Sequence, residues 1–127
     1  MNTLLSVALG GAIGAACRHL AGQLVPAPWG TFAVNVFGSL LMGLLVGWLG
    51  ARGGSPGNMD TVRLFLAVGV LGGFTTFSAF SLDAVLLLQR GQWGAFAAYG
   101  GGSVALSLVA LSVGLSVGLK LGPRGLA

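Results

Sequence analysis

Glutamate is absent from this sequence, and aspartate occurs only twice, at Asp60 and Asp83. Charged residues of both signs together make up 6% of the 127 residues, against roughly 25% in soluble domains. A chain so poor in charge cannot clothe a surface exposed to water. The scarcity of acids argues against a small proton-coupled exporter of cations, which needs a carboxylate embedded in the membrane. The two aspartates fall near the ends of apolar runs. One cysteine, Cys17, excludes an intramolecular disulfide and reads as a small packing residue. One histidine, His19, and two acids supply no metal-ligand cluster. No Ser-His pairing is suggested at a common depth, so an intramembrane enzyme is the least supported class. His19 itself reads as an interfacial residue. The six basic residues sit mostly at the ends of apolar runs and form no clustered face of the kind nucleic acid requires.

What the chain does have is apolar length. Hydrophobic residues make up 55%, and the mean hydropathy is +0.95. About 20 apolar residues span a bilayer core, and four such runs can be drawn at 4–25, 29–50, 62–88 and 93–121. Together they predict a single all-α membrane domain over 1–127. Pro26 and Pro28 close the first run. ARGGSPGNMD reads as a loop, QRGQ as a short turn and GPRGLA as a frayed tail. The N-terminus has no basic residue before its apolar part and leads into Arg18-His19 rather than a small-residue cleavage site. It therefore reads as the first membrane helix, not a removable signal. Glycine is abundant, with 24 residues. Gly10/Gly14, Gly43/Gly47 and Gly114/Gly118 are each spaced by four. Small residues at that spacing let helices approach closely in lipid.

Four spans put both termini on one side. That side carries Arg52, Arg63, Lys120 and Arg124, and the other carries Arg18 and Arg90. Basic residues orient a membrane chain, and four against two is a weak bias that permits insertion both ways. Four spans also enclose little volume, so a transport path fits better in an oligomer.

The third run contains GGFTTFSAFSLD, from Gly72 to Asp83. Gly72-Gly73 and the threonines beside them predict an interruption of the helix within Gly72–Thr76. Backbone at membrane depth leaves helical geometry only where it is buried or lines a polar cavity. Two readings are open: a kink whose freed groups are met by threonine side chains, or a cation site built from freed carbonyls. Phe77 and Phe80 are three apart and share a helical face. Such a pair is core packing unless its neighbours say otherwise. In the second run, Thr31, Asn35 and Ser39 form a polar stripe at a spacing of four. In the fourth, Tyr99, Ser103 and Ser107 form another. Either stripe can be interhelical glue. Both also supply neutral N–H and O–H donors, and the second and fourth runs contain no carboxylate. Neutral donors beside aromatic ring edges suit a small anion. Arg18 can snorkel from a helix end or draw anions at an aqueous vestibule. Asp83 reads as a capping or pairing residue with no functional role.

GGFTTFSAFSLD resembles the signature of the Fluc (CrcB) family of small fluoride channels. TFAVNVFGSLLMG resembles that family's second-helix motif, and GAIGAACRH its first-helix stretch. The resemblance implies an antiparallel, dual-topology homodimer in the cell membrane, with two passive fluoride pathways, each lined by both subunits. It implies that Phe77 and Phe80 meet fluoride with their ring edges. Asn35 then orients a ring and donates to the ion, with Thr31 on the same stripe. Tyr99, Ser103 and Ser107 look like a polar track, and Arg18 like the vestibule arginine. The backbone carbonyls of Gly72 and Thr75 correspond to those holding a structural sodium ion on the dimer axis. Ala79 departs from the family pattern, where threonine is common, and Phe74 stands where leucine is more usual. A non-transporting accessory subunit is the remaining alternative. It predicts that Phe77 and Phe80 tolerate other apolar residues.

Overall fold

The computed structural model describes residues 2–52 and 61–123. The expected loop at 53–60, Asp60 and Arg124 lie outside the described residues. Helix α1 is Thr3–Leu24 and α2 is Trp29–Ala51. The third span, Thr61–Gln89, comprises several pieces. Leu64–Leu71 is π-wound and continues into a single α-turn, Gly72–Phe74; together they are α3. Helix α4 is Phe77–Gln89, and α5 is Trp93–Leu121.

The boundaries follow from local chemistry. The Asn2 side chain caps α1 by accepting from Leu4 N at 3.2 Å. Helix α1 stops two residues before Pro26, whose ring cannot continue it. Arg90-Gly91 makes the turn into α5, with Gly91 at φ +69°, a left-handed conformation that favours glycine. At 1.5 Å per residue, α5 is about 44 Å long, longer than a ~30 Å hydrocarbon core. The helix must lean in the bilayer or emerge from it.

Among the described residues, four helices are long and apolar enough to cross a membrane. The protein is a multi-pass membrane protein, and its side chains are arranged accordingly. Leu4, Leu24, Trp93 and Leu108 are exposed, while Ser6, Ser103 and several glycines are buried. Without a hydrophobic force between helices in lipid, contact depends on close backbone approach. Two tight pairs result. Helices α2 and α5 meet through reciprocal glycines. A Cβ placed on Gly43 would lie 2.7 Å from Leu115 N, and one on Gly114 2.9 Å from Leu44 N. Helices α1 and α3 meet the same way: a Cβ on Gly14 would lie 2.8 Å from Phe74 N, and one on Gly73 2.6 Å from Gly11 O.

The interruption falls at the end of the expected interval. Gly72 remains helical at φ −64°, ψ −37°, and Gly73 serves close packing against α1. The extended residues are Thr75 (ψ 158°) and Thr76 (φ −153°, ψ 122°).

Candidate functional site

Two extended residues inside a membrane span expose main-chain polar groups that lipid cannot satisfy. Asn35, in α2, meets Thr76 as a neighbouring strand would. Its Nδ2 donates to Thr76 O at 2.9 Å, and its Oδ1 accepts from Thr76 N at 2.8 Å. Gly38, one turn further along α2, leaves no room for a Cβ against the Thr75 methyl and the Phe74 ring. The Thr76 hydroxyl then caps α4 by accepting from Ala79 N at 3.2 Å. These substitutions have a further effect. Thr76 N and Ala79 N are the regular helical donors to the Gly72 and Thr75 carbonyls. Both now serve side-chain oxygens, so those two carbonyls lose their regular partners.

Restarting the helix at Phe77 places Phe77 and Phe80 on one face, with ring centroids 5.5 Å apart. Phe80 also packs on Tyr99 at 5.4 Å. The two phenylalanines, Asn35, Ser103 and Ser107 line a groove of about 350 Å³ between α2, the interruption, α4 and α5. No charged side chain lines it. Phe77 is 76% exposed, so the groove opens on the outside of the chain. Ser103 is 4% exposed, and its Oγ has no hydrogen-bond partner among the described residues. A buried hydroxyl left without a partner is rare and costly. Asn35 Nδ2 carries two N–H groups, and the bond to Thr76 O uses one of them.

Five of the sequence-predicted pore residues thus come together: Asn35, Phe77, Phe80, Ser103 and Ser107. Thr31 and Tyr99 lie to one side. Both hydroxyls donate to the same oxygen of Asp83, Thr31 at 2.7 Å and Tyr99 at 3.2 Å. Tyr99 is fully buried. Asp83, read from the sequence as a pairing residue, is the hub of this polar cluster. Arg18 lies against the interruption from the α1 side, its Nε donating to Gly73 O at 3.2 Å. His19 sits beside Gln23 at 3.1 Å, exposed, away from the groove. Sequence reasoning named Ser39 only as part of a stripe and passed over Met42 and Val104, which line the same groove. Met42 follows Ser39 by three and Asn35 by seven, a helical spacing that was available to read.

The sequence profile of the family described as CrcB-like protein, Camphor Resistance (CrcB) matches residues 5–115. The chain belongs to this family. A protein of Novosphingobium aromaticivorans named fluoride-specific ion channel FluC is 53% identical over 125 residues, covering 92% of this chain and 96% of the relative. Proteins of the same name from Hyphomonas neptunium and Caulobacter vibrioides are 51% and 47% identical, covering 94% and 98% of those relatives. The CrcB match takes in every groove residue named above.

Proposed function

We propose that this protein is a fluoride-selective channel that passively lets fluoride leave the cytoplasm, and that it is not an enzyme. The observation that carries the reading is the composition of the groove. It offers two phenylalanine rings, a spare Asn35 N–H and the unpartnered Ser103 hydroxyl, with no charge of either sign. An anion shedding water needs donors in its place, and neutral donors release it again where a fixed cation would hold it. The relatives named as fluoride-specific channels support fluoride as that anion.

Because the groove opens outward, a pathway closed off from lipid requires a second copy. An antiparallel homodimer places each groove against the other subunit, giving two pathways each lined by both subunits. The carbonyls of Gly72 and Thr75, deprived of their regular donors, suit a hard monovalent cation. They are the groups that would hold a sodium ion at the dimer interface, where it would stabilise the interruption. An exporter driven by proton exchange needs a carboxylate in its path, and no acid lines the groove.

The test is fluoride efflux from liposomes containing the purified protein, with chloride as the comparison ion. Fast, fluoride-selective efflux that falls by about tenfold or more in Phe80→Ile, a change of ~1.4 kcal/mol or more in barrier, supports the channel and its site together. Efflux unchanged in that variant would move the pathway elsewhere. Folded, dimeric protein that passes no fluoride would leave the accessory-subunit reading standing.

A further inference from the structure

Arg18 does not line the groove. Its position gives it a different part. Gly73 O is the third carbonyl affected by the interruption, because its regular helical donor is Phe77 N. Phe77 begins a new helix beyond two extended residues, and no main-chain bond joins it to Gly73. Arg18 Nε takes that place at 3.2 Å, from 55 residues away in sequence. It can do so because glycines hold α1 unusually close. Gly11 touches Gly73, and Gly14 touches Val70 and Phe74. Arg18 lies one helical turn beyond Gly14, level with the end of α3.

We infer that Arg18 is a positioning residue: its Nε–H stands in for the missing main-chain donor and fixes the geometry of Gly72–Thr76. The segment is then held from both sides. Asn35 grips Thr76 from α2, and Arg18 grips Gly73 from α1. The directions of the Gly72 and Thr75 carbonyls, and of the ring faces that follow, depend on both grips. This role uses the position of one N–H group rather than the charge. It therefore separates sharply from a role in attracting anions by field alone.

Side-chain geometry supplies the test. Counting along the chain, the amide nitrogen of glutamine falls where arginine has Nε, so Arg18→Gln keeps a donor at that point and removes the charge. Lysine keeps the charge but puts a methylene there, with its ammonium one bond further out. The readout is amide hydrogen exchange across residues 72–78 in the purified full chain, beside exchange in α2 and α5. Arg18→Lys is expected to raise exchange by about tenfold or more in the interrupted segment alone, and Arg18→Gln to stay near the parent. Fluoride efflux should fall in the same order, with lysine the worse. That efflux arm rests on the channel reading, whereas the exchange arm does not, so failure of one is distinguishable from failure of the other. The reverse order in exchange, equal loosening by both variants, or no local change in either would overturn the inference. A rise spread over α2 and α5 would also overturn it, since it would mark general destabilisation.

Discussion

The side chain of Asn35 settles two questions at once. It closes the hydrogen bonding of Thr76 where the main chain leaves helical geometry, and it leaves an N–H at the groove. Replacing it with aspartate disturbs both tasks. One carboxylate oxygen can still accept from Thr76 N, but the other meets the Thr76 carbonyl with no hydrogen between them. Leaving a buried acceptor unpaired costs about 1–3 kcal/mol. Asn35→Asp is expected to lower the thermal unfolding midpoint and to abolish fluoride efflux in the same preparation. A variant that loses efflux with an unchanged midpoint would show that the grip on Thr76 contributes nothing to stability. Thr31, Tyr99 and Asp83 make the complementary point. Two hydroxyls expected to face an ion path donate instead to one carboxylate oxygen. The periodic stripes placed those hydroxyls correctly on their helices. They could not reveal the partner, because Asp83 belongs to a third element that arrives from elsewhere in the chain.

At the scale of helices, the glycine spacing was the most readable signal. Gly43, Gly47, Gly114 and Gly118 all sit at backbone contacts between α2 and α5. Gly114→Ala is expected to destabilise the protein by about 1–3 kcal/mol, because the added methyl meets Leu40 and Leu44 backbone that cannot move aside. Gly22→Ala, where a Cβ meets nothing within 4 Å, should be neutral or stabilise α1 by up to about 1 kcal/mol. Thermal unfolding of the two variants side by side checks the contrast, and equal effects would remove the packing argument. Helix ends were also legible to within a residue or two, since proline, glycine and capping side chains act locally. The π-winding of Leu64–Leu71 was not legible. Its residues, LFLAVGVL, are uniformly apolar and carry no phase information. The interruption was placed by its glycines, yet the chain leaves helical geometry at the threonines after them. Asn35 makes the difference, because it offers Thr76 a better partner than the helix does.

For the whole molecule, the groove opens outward from a single chain at the exposed Phe77, and four basic residues against two give little preference for either insertion. A cysteine added at the C-terminus of a Cys17→Ala chain should therefore be labelled by a membrane-impermeant thiol reagent from both sides of intact vesicles, in comparable amounts. Labelling confined to one side would exclude the antiparallel pair. Adding two lysines to that same end should bias insertion, and efflux should then fall as matched partners become scarce.

The outward exposure of Phe77 has a consequence for inheritance. A chain that carries its working surface on the outside shares it with whichever copy it meets. If the proposed homodimer forms, a cell expressing an intact gene beside one damaged at Phe77 would, by random pairing, make about a quarter of its dimers from two sound copies. The single altered side chain of a mixed dimer would lie in one of its two pathways and leave the other sound. About half of all pathways would then stay intact under random pairing, so such an allele would lower the capacity of its carrier without abolishing it.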